Sequence, residues 1–226
     1  MNLATIRGWF LSLVRPFLIW ASGVHLPFTH KLITGVLYYQ SYPYLKPGSI
    51  FITVIRGDLT TAFIPGFWTH AAIYAPQPGE AIDERVCQAE APGVLDTDLV
   101  TFETTKDYML IIEPKGLGAL KDTIMKEASD IAKLQVGKPY DFNFLYNSSG
   151  QKAFYCSELV WWCYDQVCQK YKVKSPFVPK MSLGVPTVTP NDIATDSENF
   201  QIVWDSRTIT GVSWWQTFKQ RLSTFF

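Results

Sequence analysis

The chain has 226 residues, 20 Lys plus Arg against 20 Asp plus Glu, and is 47% hydrophobic, 15% aromatic and 18% charged. That length supports one sizeable core, and a charged fraction below the roughly 25% usual for soluble domains excludes intrinsic disorder. Zero net charge, with no Lys/Arg cluster interleaved among aromatics, excludes a nucleic-acid partner.

Residues 9–28 are strongly apolar but punctuated by Arg15, Pro16 and His25. No small-residue cleavage site closes the segment, so a cleaved secretory signal is not expected. A central arginine costs about 2.5–3.5 kcal/mol in a bilayer, so the reading is one or two amphipathic helices broken near Pro16, within an N-terminal extension over 1–44. After a loop with Pro43, Pro47 and Gly48, the β-branched run 50–55 reads as a buried strand. Further strands are predicted over 71–75, 85–90 and 108–113, with turns at Pro76, Pro78 and Gly79 and at Pro92 and Gly93. The period then changes. Leu120, Ile124, Ala128, Ile131 and Ala132 predict an amphipathic helix between Gly118 and its stop at Gly137. A polar loop leads to a buried helix over 156–171, and a short strand is expected over 201–204. Strands followed by helices predict an α+β fold with an antiparallel sheet, the main domain spanning 45–206. Trp214, Trp215, Phe218, Leu222, Phe225 and Phe226 recur at helical spacing, so 207–226 reads as an amphipathic aromatic helix. Both ends fit two readings, peripheral contact with a membrane or packing on the domain and on a second copy as a homodimer.

Four cysteines, Cys87, Cys156, Cys163 and Cys168, form no C-x-x-C pair, which fits a reduced compartment. Three scattered histidines offer no zinc-type ligand pair, so no metal or other cofactor is expected. Cys156 falls where the polar loop ends and the apolar helix begins. Unpaired amides and the helix dipole at such a terminus stabilise a thiolate, as does a nearby imidazolium. Against this stands the common fate of a cysteine, a buried inert thiol. His70 opens the second strand beside a loop, a rigid yet accessible place for a base, although a lone histidine is more often a satisfied polar residue. Glu90 ends the third strand, where a carboxylate can fix the tautomer of such a histidine or remain an exposed strand-end charge.

The blocks WTHAAIY (68–74), QAEAPGV (88–94), GKPYDF (137–142) and FYCSELVWW (154–162) resemble the circularly permuted branch of the NlpC-type papain-like hydrolases. Within it they are most similar to the YiiX-like bacterial proteins. The branch also contains lecithin:retinol acyltransferase and its phospholipid-acting relatives. In this branch the histidine strand precedes the cysteine helix, as here. The resemblance covers about residues 45–204, and four blocks in the right order make it specific. It implies a permuted papain-like fold, with Cys156 as nucleophile, His70 as base and Glu90 as the orienting group. Tyr155, Tyr140 and Asp141 match positions around the substrate pocket. Glu158 also matches, but two residues past the nucleophile it reads as support for the helix terminus. One departure is Pro47-Gly48-Ser49, where the family often carries Pro-Gly-Asp.

The implied activity is thiol-dependent cleavage of a peptide or amino-acyl amide, such as a cell-wall fragment, through a thioester. Two other readings are kept, a lipid ester hydrolase or acyltransferase at a membrane surface and a non-catalytic module with a vestigial triad. The expected setting is bacterial, cytoplasmic or peripherally membrane-associated, with the periplasm as the alternative.

Overall fold

The computed structural model describes residues 16, 17, 20, 33–56, 64, 66–79, 83–142, 151–182 and 185–210. Most of the apolar segment 9–28 and of the aromatic helix expected over 207–226 lies outside the described residues.

The strands are β1 (Ile50–Val54), β2 (His70–Tyr74), β3 (Arg85–Glu90), β4 (Gly93–Asp98), β5 (Tyr108–Pro114), β6 (Lys180–Ser182), β7 (Val185–Thr187) and β8 (Phe200–Asp205). Six of them form one sheet in the order β4-β3-β2-β1-β5-β8, and β6 with β7 makes a separate hairpin. Every neighbouring pair in the large sheet is antiparallel. The helices are α1 (Gly35–Ser41), α2 (Leu99–Thr104), α3 (Lys121–Lys133), α4 (Cys156–Tyr171), α5 (Pro190–Thr195) and α6 (Ser206–Thr210).

The central strands β1, β2 and β5 are buried at nearly every position because the sheet is covered on both faces. On one face Ile50, Ile52, Ala71, Ile73 and Leu110 pack against α3 and α4 through Ile124, Ala128, Leu159, Cys163 and Val167. On the other, Phe51, Ala72, Tyr74, Met109 and Ile111 pack under Leu37 of α1, Leu99 and Phe102 of α2, and Trp204. Each such aliphatic or aromatic side chain contributes about 1.5–3 kcal/mol when fully removed from water. Ile33 and Leu37 belong to this second core. The end of the segment read as an N-terminal extension is therefore structurally part of the domain.

Three elements go beyond the sequence reading. β4 follows the Pro92-Gly93 turn at once, α2 starts from Asp98, whose side chain accepts the Thr101 N–H at 2.8 Å, and the β6–β7 hairpin precedes α5. α3 is also shorter than predicted, with a 3-10 turn over Gly118–Leu120 before it.

Two glycines fix how the helices meet the sheet. Gly48 has φ +90°, and a Cβ there would lie 2.1 Å from the Met125 carbonyl oxygen of α3. The buried Tyr164 hydroxyl of α4 donates to the Gly48 carbonyl, so one residue ties both helices to the start of β1. Gly93 has φ +139°, and its Cβ would lie 2.5 Å from the Lys138 carbonyl oxygen. That approach lets the Val94 N–H donate to Lys138 at 2.8 Å and the Gly137 N–H to Val94 at 2.9 Å.

Candidate active site

Cys156 is carried to the sheet by backbone pairing between residues 139–141 and Phe154. From its attachment to β4, the chain runs through Pro139 and Tyr140, which forms a parallel bridge with Phe154. Phe154 donates to the Pro139 carbonyl at 3.1 Å, and the Asp141 N–H donates to Phe154 at 3.0 Å. Two residues later Cys156 opens α4. Glu158 secures that terminus. One of its carboxyl oxygens accepts the Tyr155 N–H at 3.2 Å, and the other accepts the Gln151 amide nitrogen at 2.9 Å. The role read for Glu158 from sequence, support of the helix terminus, is the role these bonds give it.

Cys156 meets β2 at Ala71, the residue after His70, where a strand ladder ends. The pairing of β2 with β3 stops at Ala72 and Gln88. Along β2 the Tyr74 N–H points to β1, donating to Ser49, and the Ala75 N–H points to β3, donating to Arg85. By alternation the Ala71 N–H also faces the β3 side, one step beyond the last pair. It is directed at the Cys156 sulfur, as are the backbone N–H groups of Ser157 and of Cys156 itself, while the Ser157 hydroxyl donates to the Val188 carbonyl at 2.7 Å. The sulfur thus takes the place of a strand carbonyl, beside the residue that follows His70.

The electrostatics differ from the sequence expectation. Removal of the Cys156 thiol from water outweighs the surrounding donors, and its pKa is pushed above the ordinary value. The His70 ring keeps one edge partly open, yet burial first and the Lys106 ammonium second push its pKa from 6.5 down to about 3. The couple therefore favours thiol and neutral imidazole over thiolate and imidazolium. A helix terminus stabilises an anion, but at this buried depth the desolvation cost is larger.

The ring of His70 has a partner on β3. The hydrogen bond of His70 Nε2 goes to Gln88 Oε1 at 2.9 Å, not to Glu90. Glu90 lies on the same strand face, two residues further on, opposite Gly93 at the strand end. Gln88 is buried, and its amide nitrogen donates to Thr97 Oγ1 of β4 at 3.0 Å. The other neighbours of His70 are Phe102, with ring centroids 6.5 Å apart, and Thr53, its partner on β1. Thr53 Oγ1 is buried and has no hydrogen-bond partner among the described residues.

The residues expected around the pocket do gather near the sulfur. Tyr140 lies within electrostatic reach of Cys156, Tyr155, Asp141 and Glu158, and burial raises its phenol well above the usual range. Tyr155 is buried, with its hydroxyl accepting the Val188 N–H at 3.4 Å, so it braces the wall. Gln88, Thr53 and Lys106 were not foreseen. The sequence signals for Gln88 were its place at the head of the QAEAPGV block and its spacing of two from Glu90, which places both on one strand face.

Among solved structures, the fold is similar to the crystal structure of the metalloprotein yiiX from Escherichia coli O157:H7. That similarity has a TM-score of 0.52 at 20% identity, covering 70% of this chain and 96% of that one. Among the described residues here, no group of three or more His, Cys, Asp or Glu is placed to hold a metal ion. No curated protein matches the sequence. Residues 44–203 match the sequence profile of the permuted papain-like amidase enzymes, the YaeF/YiiX or C92 family. With most of its length under that match and a cysteine-bearing helix terminus set against the histidine strand, the chain belongs to the permuted papain-like amidase family and is a cysteine hydrolase.

Proposed function

We propose that the chain hydrolyses a peptide or amino-acyl amide bond, with Cys156 as nucleophile and His70 as the proton-transfer group. The observation that supports this most is the Ala71 N–H aimed at the Cys156 sulfur, which sets a helix-terminal thiol beside the histidine strand. As Sγ bonds to the carbonyl carbon, the thiol proton passes to the ring nitrogen of His70 not engaged by Gln88. His70 then protonates the leaving amine as the C–N bond breaks, leaving an acyl thioester. Water attacks the thioester, His70 accepts its proton, and the acid departs with Cys156 restored to the thiol. Tyr140 and Asp141 flank the acyl group, and the amides at the start of α4 face the developing oxyanion.

The test is a panel of amino-acyl amides, dipeptides and acyl esters turned over by wild type, Cys156→Ala and His70→Ala. Turnover of an amide by wild type and loss of at least a thousandfold in both variants is expected; amide turnover that survives Cys156→Ala refutes the proposal. Ester cleavage at a lipid surface is a second reading, favoured by the exposed Val36, Tyr39, Tyr42 and Tyr44 in and after α1. Liposome flotation of the full chain separates the two. No helix among the described residues is long and apolar enough to cross a membrane.

A further inference from the structure

We infer that Gln88 is the positioning residue of His70, and that this uncharged partner makes the enzyme keep its resting cysteine and histidine neutral, so that the thiol ionises only as it attacks. The inference rests on the proposed roles of Cys156 and His70 and goes beyond them by assigning the third member and the protonation state of the couple.

The orientation of the Gln88 amide points to one tautomer. Gln88 Oε1 is an acceptor only, so the Nε2 atom 2.9 Å away carries the proton and Nδ1 offers its lone pair. In this orientation the amide nitrogen donates to Thr97 Oγ1 at 3.0 Å. Both residues sit on the sheet, with Gln88 only 4% exposed, so the ring has a rigid mount. A carboxylate in this place would attract an imidazolium, whereas an amide oxygen orients the ring with little charge stabilisation.

The other groups facing the ring agree. From the α2–β5 connection comes the Lys106 ammonium, which opposes a second positive charge. From β1 comes Thr53, which is not titratable. From α2 comes Phe102, while its neighbour Glu103 is engaged by Ser41 on α1. From β3, Glu90 shares the face but makes no hydrogen bond to the ring, and from α4 Cys156 comes up to Ala71, the residue after His70. Burial acts in the same direction on both partners, against thiolate and against imidazolium.

The readout is the rate of iodoacetamide alkylation of Cys156, followed by peptide mass spectrometry from pH 4 to 10. The buried Cys87, Cys163 and Cys168 serve as internal references. In wild type the rate should rise in a single step with a midpoint above the ordinary thiol value of about 8.5, with no plateau at acidic pH. Gln88→Glu restores a charge beside the ring and should raise the rate at pH 6 at least tenfold, with a new acidic plateau. Gln88→Leu should lower kcat on the best amide substrate more than tenfold with KM within about threefold, and Glu90→Gln should leave the alkylation profile unchanged.

Independently of any variant, 15N NMR of histidine-labelled protein at pH 7 should show His70 with a protonated Nε2 and an unprotonated Nδ1. An acidic alkylation plateau in wild type, a Gln88→Glu profile superimposable on wild type, or an imidazolium at pH 7 would each overturn the inference. Loss of the amidase proposal through the Cys156→Ala panel leaves these measurements readable, so the two failures are distinguishable.

Discussion

Glu103 offers a stability prediction far from the reacting atoms. Its carboxyl is fully buried under α1 and lies 3.1 Å from Ser41 Oγ through both oxygens. Ser41 has one proton, and its oxygen also lies 2.8 Å from the Tyr38 carbonyl, which only accepts. The bonds are all satisfied if Ser41 donates to Tyr38 and a protonated Glu103 donates to Ser41. Burial agrees, pushing the Glu103 pKa from 4.5 to about 8. Because the folded value lies above the unfolded one, stability is fully present below pH 4.5 and is lost as pH rises towards 8. At pH 7 the linkage ceiling is about 2.5 units at 1.36 kcal/mol each, or about 3.4 kcal/mol. Glu103→Gln keeps an amide donor for Ser41 and removes the titration. It should therefore raise stability by about 1–3 kcal/mol at pH 8.5, or roughly 2–10 °C in Tm, and change it little at pH 4.5. Thermal unfolding by circular dichroism at both values measures this. An equal Tm difference at the two pH values, or a loss at pH 8.5, would refute the assignment of a buried neutral acid.

Glu158 should respond in the opposite way. Both of its oxygens accept from fixed donors, so Glu158→Gln turns an amide NH2 against the Tyr155 N–H or the Gln151 amide, with an expected loss of about 1–3 kcal/mol in urea unfolding and slower alkylation of Cys156. A variant as stable as wild type would mean that the terminus of α4 is held by something else. Gly48→Ala combines a strained φ with a Cβ 2.1 Å from the Met125 carbonyl oxygen, and should cost about 3 kcal/mol or more in the same assay, whereas a neutral result would mean that α3 shifts freely.

The sequence made the frame of the site readable because its signals are local. A polar loop running into an apolar helix marks the terminus that carries Cys156, and a β-branched run marks β1. The choice between Gln88 and Glu90 was not local. Side chains two apart on a strand share a face, and only the diagonal reach from β2, set by the ladder register, selects Gln88. Glu90 was assigned from the family resemblance, and the continued register would set it opposite His70, but the ladder ends before that pair and the ring reaches diagonally to the amide. β4 escaped notice because it ends in a half-exposed polar run, Asp96, Thr97 and Asp98, and strands disfavour aspartate. α2 spans six residues, too few for a helical period to register. The protonation preference of Cys156 was hidden for another reason. Sequence shows the helix terminus that favours an anion, while the depth of burial that opposes it appears only when the sheet, α4 and the 137–142 stretch close around the sulfur.

The early end of the β2–β3 ladder has a consequence for how competence arises during folding. The amide at Ala71 is free to serve the sulfur because β3 has already turned away. A slip of β3 that extended its pairing by one step would hand that amide to a neighbouring strand and evict the thiol. Such a chain would remain compact and rich in sheet while being chemically silent, so titration of reactive Cys156 counts correctly registered molecules where spectroscopy counts merely folded ones.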